Sequence, residues 1–194
     1  MRNRLVFVVL IAGLTIGGCR PSAPEKAGGE PQAAPAAGPV LDAHDPTILR
    51  RPFTAEEIRA EWAPGLTLTM RRTTPDAEVL ARWTVVAADT EGVDIEYATV
   101  DAGGQVVGEP RVERSSWVEL RDHATFSAAH ATSEETVRDT ALGMLNGWVY
   151  TVRDDEAGTV TELFFARSLP GAPVEMRMTR DGAVVMELSQ IARR

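Results

Sequence analysis

The sequence predicts a mainly β domain: a strongly curved antiparallel sheet, either a half-barrel or an open-barrel meander, with one short N-terminal helix. Three observations predict it. After Gly65 apolar residues recur at every second position. Turn signals divide the chain into short runs: Glu91-Gly92, Asp101 to Gly104, Asp154 to Gly158, Pro170-Gly171 and Asp181-Gly182. No helix of crossover length lies between consecutive runs, which argues against a parallel α/β sheet and its nucleotide sites.

In chain order, residues 1–18 read as an export signal: Arg2 and Arg4 open it, an apolar run fills 5–16, and Gly17 and Gly18 close it. A helix over that run is roughly 18 Å long, short of the ~30 Å hydrocarbon core. The ending Ile16-Gly17-Gly18-Cys19 resembles the lipobox of bacterial lipoproteins, with Ile where Leu is usual. That resemblance implies cleavage before Cys19 and a diacylglycerol on its thiol, a membrane anchor in which each buried methylene contributes about 0.8 kcal/mol. Arg20 follows the cysteine where Asp would imply inner-membrane retention. The resemblance thus implies an outer-membrane lipoprotein facing the periplasm. The alternative is an ordinary secretory signal with a free thiol.

Residues 19–45 form a Pro/Ala/Gly linker that cannot bury enough apolar surface to offset ordering entropy, and a disordered tether is expected. Residues 46–194 then form a single domain. With 28 acidic and 20 basic residues, three histidines and one cysteine, the chain is unsuited to a disulfide framework, a multi-cysteine zinc site or nucleic-acid binding. Removing Arg2 and Arg4 with the signal leaves a net charge of about −10.

The helix is expected over 54–63: Thr54 can cap it, Glu57 can close a capping box, Phe53 can staple onto Ile58, and Pro64-Gly65 ends it. Ten strands follow, over 66–73, 81–88, 93–100, 105–110, 116–120, 135–138, 147–153, 159–167, 174–179 and 183–191. Asp181-Gly182 suits a tight type I′ hairpin.

Alternation marks the dry side. Trp148, Tyr150 and Val152 share a face, as do Val174, Met176 and Met178, and Val184, Met186 and Leu188, with Glu175, Arg177, Glu187 and Ser189 opposite. The stretches Gly147-Trp148-Val149-Tyr150, Phe164-Phe165-Ala166 and Pro170-Gly171-Ala172-Pro173-Val174 are similar to the C-terminal half of uncharacterised bacterial envelope proteins of curved-sheet type. The likeness covers the last third of the chain and brings no catalytic residue with it. By analogy of architecture with half-barrel lipid-handling lipoproteins, Trp148, Tyr150, Phe164, Met176, Met178 and Met186 are candidate contacts for a lipid or other hydrophobic ligand on the concave face. The competing reading of the same residues is core packing, with the domain serving as a structural or protein-interaction module in envelope assembly.

Chemistry is otherwise sparse. Asp42, His44 and Asp45 sit at the edge of the linker, where metal ligands are not prepositioned. His123 and His130 lack a helical ligand pattern, and no serine lies in a Gly-x-Ser-x-Gly elbow. Thioethers at Met176, Met178 and Met186 can bind cuprous copper, but at period two in strands they read as core. Arg50-Arg51, Arg71-Arg72 and Arg193-Arg194 read as solvated charge. No enzyme activity, cofactor or metal is expected. The expected partners are the membrane through Cys19 and a hydrophobic ligand or envelope protein.

Overall fold

The computed structural model describes residues 41–194. The export signal, Cys19 and the expected linker up to residue 40 lie outside the described residues. The elements in chain order are α1 (Ala55–Glu61), β1 (Thr67–Thr73), β2 (Glu78–Ala88), β3 (Gly92–Val100), β4 (Val106–Ser116), α2 (Trp117–Asp122), β5 (Ala131–Thr140), β6 (Gly143–Asp154), β7 (Thr159–Ala166), β8 (Glu175–Arg180) and β9 (Ala183–Arg193).

The expected mainly β, antiparallel, unclosed architecture is present: one nine-stranded open sheet in the order β4-β3-β2-β1-β9-β8-β7-β6-β5. It is two meanders joined at the middle. β1 to β4 step outward in one direction, β9 to β5 in the other, and antiparallel pairing of β1 with β9 unites the first and last strands. The connection from β4 to β5 links the two edges and carries α2. A flat sheet of this width would span roughly 40 Å at ~4.8 Å per strand, far wider than a helix of ~10 Å. Yet Val93 and Ile95 of β3 share one continuous core with Leu163 and Phe165 of β7, together with Ile58 of α1 and Trp117 of α2. The sheet therefore curls around the helices.

Local chemistry explains the helices. Thr54 and Glu57 form the expected capping box, with the Glu57 N–H donating to Thr54 Oγ1 at 3.1 Å and the Thr54 N–H to the Glu57 carboxylate at 2.7 Å. The strand expected at 116–120 is instead the second helix. Ser116 and Glu119 repeat the same box, at 3.1 and 2.8 Å. Helical spacing also puts Trp117 and Leu120 together against the core, whereas a strand would have put Trp117 beside Glu119.

Two edge segments run further than the alternation predicted. Residues 111–116 extend β4, and β5 with β6 meet in a two-residue turn at Ala141-Leu142. Both faces of β4 are wet along nearly its whole length, so no dry side was there to print a period of two. Asp181 and Gly182 both take positive φ, 51° and 80°, as a type I′ turn requires.

The outer face is not uniformly charged. Val149, Phe164, Ala166 and Val174 form a second small core there, flanked by Leu142, Leu145 and Leu169. Val174 precedes β8 and packs with Phe164, so it does not share a face with Met176 as its spacing suggested.

α1 is locked to the sheet through the β7–β8 connection. The Trp62 indole N–H donates to the Pro170 carbonyl at 2.8 Å, and Gly171, at φ 115°, lies so close under the ring that a Cβ there would overlap it. Gly182 has open space around it. Gly182→Ala is expected to cost about 1 kcal/mol for the positive φ alone. Gly171→Ala is expected to cost about 2–4 kcal/mol because Trp62 must also move. Denaturant midpoints of the two variants measure the difference.

Candidate functional site

The concave face is the first candidate, because the aromatic and thioether residues converge there. Tyr150 is the clearest case. It alternates onto the inner face of β6, is 2% exposed, and packs on Phe126 and Phe165 at 5.1 and 5.7 Å between ring centres. Its hydroxyl donates to the Arg50 carbonyl at 2.6 Å, fastening the segment before α1 to the sheet. Burial pushes the phenol well above its ordinary value of 10.0. Leu49 and Phe53, on that segment, are buried in the same core.

Trp148 is half-buried: Phe53 meets it edge-on at 6.1 Å, and the Arg167 guanidinium lies 4.4 Å from its ring centre. Met176 and Met186 are buried in this core, and Met178, paired across the ladder with Met186, packs on it. Phe164 is not with them. It points to the outer face, fully buried, under the Arg138 guanidinium at 5.6 Å. Five of the six expected ligand contacts thus share the inner face, where α1, α2 and residues 49–53 cover them.

The remaining polar candidates are spread apart. Asp42 accepts from the His44 N–H at 2.9 Å and pairs with Arg51 at 3.1 Å. Asp45 accepts from the Thr47 N–H and hydroxyl. These bonds hold both carboxyls below their usual range. His123 and His130 are exposed, one at the end of α2 and the other before β5. No group of three metal-ligating side chains occurs among the described residues.

A second candidate was not legible as such. Glu61 at the end of α1, Leu66, Leu142, Leu145, Leu169 and the terminal Arg193 and Arg194 line an open cavity of about 440 Å³ at the rim. Arg193, expected to be solvated, has a side chain only 9% exposed. Its Nη2 reaches Glu61 at 3.3 Å, while its buried Nη1 has no hydrogen-bond partner in the protein. Burial holds the guanidinium below its ordinary value against the pull of Glu61. Gln190 is 1% exposed and both its amide atoms lack a partner.

Parity explains what was and was not foreseeable. Gln190 follows Met186 and Leu188 on the inner side at period two. Leu68 pairs with Arg193 but Met70 pairs with Gln190, so a bulge at Ile191 turns Arg193 inward where unbroken alternation would have turned it out.

No family model and no curated protein matches this chain. A crystal structure of MucB aligns with a TM-score of 0.49 at 12% identity, covering 71% of this chain and 55% of that one. A chain of the Pseudomonas aeruginosa MucA/MucB complex gives 0.48 at 13% identity, covering 71% and 53%. An exported protein with a YmcC-like fold from Bacteroides fragilis gives 0.41 at 8% identity, covering 69% and 98%. The chain spans about half the length of MucB. Alignments this loose carry no argument about what this chain does.

Gln190→Met replaces an unpaired buried amide by an apolar side chain of similar volume, and is expected to stabilise the fold by about 1 kcal/mol, read as a raised denaturation midpoint. Tyr150 is neutral in the folded state at pH values where the unfolded chain ionises it. Its contribution is therefore complete below about pH 10 and falls by about 1.4 kcal/mol per pH unit above that. Tyr150→Phe is expected to lessen this alkaline loss in unfolding measurements between pH 9 and 11, while costing about 1–2 kcal/mol at neutral pH by leaving the Arg50 carbonyl unpaired.

Proposed function

We propose that this chain is a non-enzymatic lipoprotein, held in the outer membrane through acylated Cys19 with its domain in the periplasm, and that the domain works by contact with envelope proteins. The observation that carries the contact reading is the occupied concave face: Leu49, Phe53, Ile58, Trp62, Trp117 and Phe126 fill the space against the inner face of the sheet. What remains for recognition is the surface, where Val106, Val107 and Val112 of β4, Val137 of β5 and Met144 of β6 stand exposed.

A second reading is favoured by the rim cavity. Four leucines and a guanidinium with one unpartnered nitrogen suit an amphiphile with a short apolar tail and an acidic head. Decanoate binding measured by titration calorimetry, weakened at least tenfold by Leu145→Asp, would support that reading; no heat above dilution would remove it.

The anchor is tested separately. Cys19→Ala is expected to move the protein from the membrane pellet to the soluble fraction, and intact mass of the membrane-extracted parent is expected to exceed the cleaved chain by its acyl groups. Photocrosslinking from Val112 in whole envelopes is expected to give discrete protein adducts; a bare monomer band would count against the contact reading.

A further inference from the structure

The two sheet edges differ in kind. On β4 the ladder breaks: Thr99 pairs with Val107 and Tyr97 with Arg111, so three residues of β4 bulge opposite one of β3. Gly108, at φ 82°, and Pro110, which has no N–H to offer, lie in that bulge. Bulges and prolines of this sort blunt an edge against further pairing. On β5 the ladder with β6 runs through ten residue pairs without a shift, and the segment holds no proline, glycine or lysine. Among the described residues no strand lies on its far side.

The direction of its free backbone groups follows from parity. The Arg153 N–H donates to the His130 carbonyl at 2.8 Å, and the register continues from there with Ala131 opposite Val152. In an antiparallel pair such bonded positions alternate, so even-numbered residues of β5 turn their backbone groups toward β6. Ala131, Ser133, Glu135, Val137 and Asp139 present theirs outward. Val137 adds an apolar side chain that is 59% exposed.

The sequence of this edge is complementary to itself. When two copies of β5 run antiparallel about a two-fold axis at Thr136, residues 132–140 of each copy lie opposite one another. Glu134 then faces Arg138 of the other copy, twice, adding a second carboxylate to a guanidinium that already pairs with Glu175 at 3.5 Å; Ser133 faces Asp139, and Glu135, paired with Arg167 of its own chain, faces Val137. Moving the axis one residue to either side sets Glu135 against Glu135, or Glu135 against Asp139. Such like-charge pairs are destabilising, while opposite charges directly across the ladder are favourable. The Thr136-centred register also puts outward-facing residues opposite outward-facing residues, which gives about eight interchain backbone hydrogen bonds.

We propose that β5 is a homodimerisation edge, where a second copy of this chain adds antiparallel in the Thr136-centred register and continues the sheet across the two-fold axis. This deepens, and rests on, the reading of the domain as a contact module, and it names the partner. Anchoring in one membrane raises the effective concentration of such partners, so a modest edge-to-edge affinity is sufficient.

The test is disulfide crosslinking in the full-length, membrane-anchored protein. Thr136 sits at a non-bonded pair on the axis, where facing Cα atoms approach about 4.5 Å, within disulfide range. Thr136→Cys is expected to give a dimer on mild oxidation, and Val107→Cys on the blunted edge is not. Adding Glu134→Arg to Thr136→Cys should cut the dimer about tenfold by opposing like charges twice. Arg138 pairs with Glu175 of its own chain at 3.5 Å, so the swap is made with that partner: adding Arg138→Glu together with Glu175→Arg should restore the dimer, an outcome that simple misfolding does not produce. Sedimentation of the detergent-extracted parent protein, free of any substitution, is expected to show a concentration-dependent dimer. A monomer at all concentrations, equal crosslinking from both edges, or no restoration by the charge swap overturns the proposal. Adducts from Thr136→Cys to other envelope proteins without a homodimer would overturn the second-copy partner while leaving the contact reading intact.

Discussion

A sheet with one continuous apolar face must cover that face, and here the chain supplies the cover itself. Leu49, Phe53, Ile58 and Trp62, before and within the region of α1, and Trp117 and Phe126, in and after α2, lie in one core with residues from β1 to β3 and from β6 to β9. Because two short helices cannot cover a flat sheet of this width, the sheet curls to meet them. The capping boxes at Thr54 and Ser116 fix where each helix starts, and the indole bonds of Trp62 to Pro170 and Trp117 to Asp89 fix how each is seated. The cover and the curvature depend on each other, and the space a concave ligand would take is filled as a result.

The seam between β1 and β9 is where this arrangement carries its unusual polar groups. One bulged residue places Arg193 beside Leu68, inside the rim, and Glu61 at the end of α1 is within reach of it. Buried charges that lack full pairing are costly. Their presence beside a leucine-lined cavity gives the rim a chemical character that the filled concave face lacks. Gln190, immediately before the bulge, shares the inner face with no hydrogen-bond partner for its side-chain amide in the protein.

The edges complete the picture. A nine-stranded sheet that does not close leaves two rows of backbone groups unpaired, and the chain treats them differently: a glycine and proline bulge on β4, an unbroken, polar, self-complementary strand on β5. An edge left unblunted is a liability unless a partner occupies it.

Much of this was legible in the residues. Period-two alternation and turn chemistry placed six of the nine strands to within three residues of their ends, Asp181-Gly182 gave its turn type, and Thr54 with Glu57 gave α1. Each of these is a local signal: neighbours a few residues apart settle the conformation whatever the rest of the chain does. The true lengths of β4 and β5, and residues 143–146 of β6, were not legible, because segments at a sheet edge have little dry face to pattern. The helix at Ser116 was masked by a run too short to distinguish the two periods, and the Ser116–Glu119 capping box that marks its start emerged with the structure. Only the tertiary structure decided that Phe164 belongs to the outer core, that Arg193 turns inward, and that the aromatic face is covered rather than open. Those outcomes depend on strand register, a bulge, and what packs on top, all of them contacts between residues far apart in sequence, on which local pattern is silent.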